Sequence, residues 1–234
     1  MRQRAIDRGL KLNEFGLIPE AKAGDLKGMD AAVHSLQALS EQEIYAHLDM
    51  DYVAPELRED MGEVQAASSR SLPKLLEMNN IRGALHNHTT LSDGEASLEQ
   101  MADTAQKMKW SWLGIADHSP SLKIANGASS DDLLKQGRTI KAYNQKWAED
   151  GVDFRLFHGV ESDILAGGTL DHPDEVLNEL DYVVASVHAM TKWRSRDEVE
   201  NTEELLKVID HPATTVLGHP TGRILQGREG YEVD

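Results

Sequence analysis

"RGALHNHTTLSDGE", residues 82–95, sets two of the chain's ten histidines one residue apart and follows them with an aspartate across a short turn. The apolar start of the run predicts a strand, and alternate residues of a strand project from the same face. His86 and His88 are therefore expected to converge on one spot. Ser92 and Gly94 mark a turn that returns Asp93 to the same mouth. Two imidazoles and a carboxylate suit a divalent metal of borderline softness. A lone H-x-H pair serves packing at a sheet edge equally well, so the rest of the chain has to decide.

Outward from this run, short apolar stretches alternate with helical patterns. The expected strands are "ALHNHTT" (84–90), "WLGIADHS" (112–119), "FRLFHGVESDI" (154–164), "YVVASVHA" (182–189) and "TTVLGHP" (214–220). Between them, helices are expected over 97–109, 130–150, 173–180 and 198–210. Such alternation implies parallel strands joined by crossover helices, an α/β sheet or barrel. The ligand-type residues fall at equivalent places in it. His86 and His88 end the first strand, His118 the second, His188 the fourth and His219 the fifth, and Glu161 lies late in the third. All are at carboxyl ends, the edge where parallel α/β folds build their sites. Packing alone does not explain that regularity, and metal binding does. Asp117, beside His118, is expected to support a ligand rather than be one. His34, His47, His158, His172 and His211 lie in helices, in loops or away from that edge, and are read as structural.

The chain has 234 residues, enough for one large domain or a domain and a half. Its composition, 40% hydrophobic and 27% charged, is that of a globular protein. It contains no cysteine, so disulfides, a thiolate metal site and a cysteine nucleophile are excluded, and any metal must be held by nitrogen and oxygen. No apolar run reaches the ~18 residues of a membrane span, and the first residues lack the apolar core of a secretory signal. A cytoplasmic protein is expected. The net charge of −16 argues against a broad phosphate-gripping surface. Divalent metals reverse the field locally, so a nucleic-acid substrate stays open.

Residues 1–80 differ in character. They read as short helices and a linker, with "SEQEIYAHL" opening on Ser40 and Glu43 in the spacing of a capping box. A domain boundary is expected near residue 80, with residues 81–234 forming the metal-binding domain.

The motifs "LHNHTTLSDG", "IADHS", "GVESDIL", "VVASVHA" and "LGHPTGR" together resemble the successive metal-binding motifs of the PHP (polymerase and histidinol phosphatase) superfamily. The wording is most similar to the PHP domain at the carboxyl end of bacterial family X DNA polymerases. "RAIDRGLKLNEFGL" and "APELREDMGEVQAA" resemble the end of the thumb and the connector of those enzymes. The resemblance implies a distorted TIM-like barrel of seven βα units, of which about five are expected here. It also implies nine metal ligands, of which seven are present: His86, His88, Asp93, His118, Glu161, His188 and His219. On this reading the chain is a fragment without the polymerase palm and the last PHP motif, so polymerisation is not expected of it.

The resemblance further implies a metal-dependent phosphoesterase with up to three divalent ions, manganese, zinc or iron. His86, His88 and Glu161 would hold one, Glu161 would bridge to a second on His188, and Asp93, His118 and His219 would hold a third. His86, His88, Glu161 and His188 would form the catalytic centre. The implied substrate is a DNA 3′ end, cut by a 3′–5′ exonuclease, a 3′-phosphatase or an abasic-site endonuclease in DNA repair. Arg223 and Arg228 are the candidate phosphate contacts, because a guanidinium grips phosphate bidentately; an ion pair at a helix start or solvated charge competes with that role. A histidinol-phosphatase-like enzyme for small phosphomonoesters and a catalytically inactive binding module are the alternatives. An open five-strand sheet would leave an exposed edge, and self-association through it is expected.

Overall fold

In the computed structural model, which describes residues 1–24, 29–224 and 226–234, the chain divides into two compact units, Met1–Leu76 and Glu77–Asp234. The first unit opens with helix α1 (Arg2–Ile6) and an antiparallel hairpin of β1 (Leu10–Asn13) and β2 (Gly16–Pro19). The short helices α2 (Glu20–Ala23), α3 (Met29–Val33), α4 (Glu41–His47) and α5 (Glu63–Ser68) follow. Ala5, Leu17, Tyr45, Leu48, Met50, Val53 and Ala67 form an apolar core. The hairpin corrects the expectation of helices and linker alone. Its signal is present: Leu10 and Leu12 alternate with polar residues, and the Asn13 side chain accepts from the Phe15 N–H to start the turn. At α4 only half of the expected capping box forms. Ser40 accepts from Glu43 N–H, while Glu43 reaches one residue further back, to Leu39 N–H at 2.6 Å.

The second unit is α/β. Its strands are β3 (Gly83–Asn87), β4 (Trp112–Ile115), β5 (Arg155–Leu165), β6 (Thr169–Leu170), β7 (Tyr182–Ser186) and β8 (Val216–Gly218). Five of them run parallel in the order β3-β4-β5-β7-β8, and β6 folds back antiparallel on β5. Sequential order without reversal is the winding of a barrel rather than of a doubly wound sheet, and the sheet is a curled half-barrel. The crossovers carry α6 (Leu98–Lys107), α7 (Ser130–Glu149), α8 (Asp174–Leu177), α9 (Met190–Arg194) and α10 (Glu198–Ile209). Ser97, Ser129 and Asp197 cap the three long helices by accepting from the N–H three residues on. Each such cap contributes about 1 kcal/mol.

Side-chain parity along β5 places the site. Leu156, Val160 and Ile164 join the clusters packed beneath the helices. Phe157 lies in the opposite cluster with Ala116, Tyr182, Val184 and Val216. Residues two apart share a face, so Gly159, Glu161 and Asp163 line the concave side with Phe157. A Cβ on Gly159 would stand 2.5 Å from the Tyr182 ring. The glycine therefore lets that ring cross β5 as the floor of the site, where the Tyr182 hydroxyl accepts from His86 N–H at 3.3 Å.

Candidate metal centre

Five imidazoles converge on one carboxylate. Glu161, 1% exposed, presents Oε2 to His86 Nε2 at 3.0 Å, to His88 Nε2 at 3.6 Å and to His118 Nδ1 at 2.9 Å. Its Oε1 faces His219 Nε2 at 2.9 Å and His188 Nε2 at 3.5 Å. The strand ends make this possible. His118 pairs with Glu161 across the β4–β5 seam, His188 sits two residues beyond β7, and His219 directly follows β8.

His86 and His88 do meet, with ring centroids 5.1 Å apart, but not by simple alternation. The β3–β4 register shifts between Ala84 and Asn87, and β3 ends before His88. His86 takes φ +61°, a left-handed conformation that costs a non-glycine residue of order 1 kcal/mol or more. The bulge re-aims its ring at Glu161.

Three overlapping groups place their donor atoms within 4.8 Å of one another: His86, His88 and Glu161; His118, Glu161 and His188; and His88, Asp93 and His118. Asp93 stands 3.5 Å from His118 Nε2 and 3.8 Å from His88 Nδ1. His219 lies on Glu161, outside the group that contains Asp93. The donors fit a cation. The Nδ1 atoms of His88 and His118 are buried without a hydrogen bond, although His118 Nδ1 is close to Glu161. Nitrogen lone pairs crowded beside a carboxylate and left unpaired are what coordination to a shared cation requires.

Residues 84–232 match the family model described as PHP domain. The chain belongs to the PHP domain family. Residues 1–59 match the DNA polymerase beta thumb. The chain is 36% identical over 234 residues to the DNA polymerase/3'-5' exonuclease PolX of Bacillus subtilis, covering 100% of this chain and 38% of that protein. It is 31% identical over 138 residues to a probable phosphatase of Clostridium acetobutylicum, with 58% of this chain and 52% of the relative covered. A probable phosphatase of Caldicellulosiruptor saccharolyticus is 29% identical over 153 residues, 64% of this chain and 56% of that protein.

In the PHP site the charges are held by neighbours. Burial works against the Glu161 carboxylate, but the surrounding imidazoles outweigh it and hold its pKa well below the usual range. Burial and the nearby His118 push His88 down. Burial also opposes charge on His188, yet bonds to Asp163 and Glu161 raise it to about 9. Asp163, 8% exposed, accepts from His188 Nδ1. Sequence reading passed over this residue. Its only signal was its place two residues after Glu161.

Asp117 is fully buried and accepts four hydrogen bonds, from Thr89 N–H and Oγ1, Ser92 Oγ and Gln136 Nε2, all at 2.7–2.8 Å. None of these bonds reaches an imidazole. They brace the PHP loop that carries His88 and Asp93. Arg223 and Arg228 line a cleft of ≈ 550 Å³ together with Asp93, His118, His188 and His219. Arg228 donates through Nε and NH2 to Gly222 O, and Arg223 has no ion pair among the described residues. Leu122, Ile124 and Ile224 form the apolar part of the wall. His158, read as structural, is buried over α7, where a Cβ on Gly137 would approach its ring to 2.5 Å. His172 binds Ser130 and His211 binds Asp174, while His34 and His47 meet backbone carbonyls.

Proposed function

We propose that this chain carries a metal-dependent phosphoesterase acting on DNA 3′ ends, of the 3′–5′ exonuclease, 3′-phosphatase or abasic-site endonuclease type, in DNA repair. The observation that carries the reading is the ring of five imidazoles around the buried Glu161 at the carboxyl edge of a parallel sheet. His86, His88, Asp93, His118, Glu161, His188 and His219 would hold divalent ions, with manganese, zinc and iron all suited to imidazole and carboxylate. Such ions, when bound, lower the pKa of a coordinated water and neutralise charge on phosphate. Glu161 contributes a carboxylate that stays anionic at neutral pH, because its imidazole neighbours overcome the cost of burial. Arg223, which lines the cleft, is the residue we assign to a phosphate oxygen, with Arg228 holding the Gly222 turn beside it.

On this reading residues 1–80 are the end of a polymerase thumb and its connector, and residues 81–234 are the phosphoesterase domain. The DNA substrate class is supported by the thumb match and by the Bacillus relative, of whose length the chain spans 38%. Among the described residues β3 and β8 end the sheet, and we read these edges as the route to self-association; a single monomeric species in sedimentation would count against it. A second reading, a phosphatase for small phosphomonoesters, is favoured by the two probable phosphatases that the chain resembles.

The deciding experiment supplies manganese and compares a 3′-labelled oligonucleotide with a small phosphomonoester. Stepwise shortening, or loss of a 3′-phosphate, supports the DNA reading. Turnover of the monoester alone supports the second, and inertness toward both removes the hydrolase assignment.

A further inference from the structure

We infer that Asp163 is a positioning residue of the metal centre, acting through His188. The inference rests on the reading of the site as a metal centre and adds to it a residue outside the seven ligands. Asp163 follows Glu161 by two positions in β5, so the strand's parity turns both carboxylates to the concave face. The β5–β7 register sets Asp163 opposite Ser186, two residues before His188, which brings the carboxylate to that ring. Its backbone is pinned as well: Asp163 N–H donates at 2.9 Å to the buried Ser119 Oγ, next to His118.

The chemistry of the pair assigns the atoms. A carboxylate only accepts, so the proton of the shared bond sits on His188 Nδ1. Nε2, turned toward Glu161 Oε1 at 3.5 Å, is then the nitrogen left to take a metal. Asp93 also faces distal ring nitrogens, His118 Nε2 at 3.5 Å and His88 Nδ1 at 3.8 Å, but makes no hydrogen bond to either, whereas Asp163 is hydrogen-bonded to His188. A carboxylate bonded to the distal nitrogen of a ligating histidine fixes its tautomer and raises its basicity, and losing it costs 10–100-fold in metal affinity. Asp163 would therefore set the order in which the ring binds ions, with the position on His188 filled most tightly.

The test is a double-mutant cycle read as manganese affinity, using metal-stripped full chain, Asp163→Ala, His188→Ala and the double variant. Asp163→Asn is added as the isosteric variant, and melting of each metal-free protein reports folding. Asp163→Ala is expected to weaken the tightest site about 10–100-fold, with a smaller loss in Asp163→Asn. In the His188→Ala background, removing Asp163 is expected to change affinity less than about two-fold, the additivity error of such cycles being a few tenths of a kcal/mol. Equal losses in both backgrounds would mean that Asp163 acts without His188 and would overturn the inference. Unchanged affinity in both Asp163 variants, with wild type binding manganese, would overturn it alone. Wild-type protein that takes up no manganese would remove the metal reading and the inference together.

Discussion

Met1–Leu76 and Glu77–Asp234 bury different kinds of residue. The buried side chains of the first unit among the described residues are apolar, with Leu17, Leu48 and Val53 at or below 1% exposure. The second unit buries an apolar core too, and adds Asp117, His118, His158, Glu161, Asp163, His172 and, among the described residues, seven hydroxyl and amide side chains. Buried polar groups cost free energy unless each finds a partner. The second unit meets that cost with networks, such as the four bonds to Asp117 and the five imidazoles around Glu161. The contrast separates packing from chemistry: the polar groups buried around Glu161 and Asp117 belong to the candidate site and its bracing, while His158 and His172 are buried away from it.

The comparison can be tested from its strongest contrast downward. Glu161→Gln removes the one anion common to two donor groups, so metal retained through chelator-free purification should fall to background by plasma mass spectrometry, with any hydrolysis lost. Retained metal would show that the ring does not depend on its hub. Leu48→Ala, in the apolar unit, should instead cost about 2–5 kcal/mol of stability in urea unfolding while metal per folded chain is unchanged. A drop in metal content would blur the distinction between the units.

The third test is pH. Burial holds His158 at about 4, from an ordinary 6.5. The unfolded chain takes up the proton first, so the contribution is complete above pH 6.5 and declines as pH falls toward 4. The loss should approach about 3 kcal/mol over that window, and it should be absent in His158→Phe. Equal pH dependence of the two proteins would assign acid sensitivity to other groups. The smallest effect is expected at Arg223, where Arg223→Ala should leave stability within about 0.5 kcal/mol. The same change should weaken oligonucleotide binding several-fold and reduce its salt slope by about 1. An unchanged slope would take Arg223 out of phosphate contact.

Much of the second unit was legible in the sequence because its signals are local. Runs such as "YVVAS" name their own strands, and the helical patterns expected over 97–109, 130–150 and 198–210 fall on the three long helices. The position of a histidine just past an apolar run placed it at the carboxyl edge without any knowledge of its partner. The β1–β2 hairpin was passed over because four-residue strands carry only two turns of alternation, too few to stand out from coil. The bulge at His86 was hidden because a register shift belongs to a pair of strands, and only one of them is in view when a segment is read.

By itself, then, the sequence determined which residue types the chain has for chemistry, that they end successive strands, and that no thiol takes part. These are one-dimensional facts, set by composition and by periodicity along the chain. Tertiary structure alone decided that Glu161 is the centre of the ring, that His219 faces it and not Asp93, and that His188 leans on Asp163 while Asp117 braces a loop. Those pairings join residues far apart along the chain, as His86 and His219 are from Glu161, and their distances depend on strand register and sheet curvature, which exist only after the strands have come together.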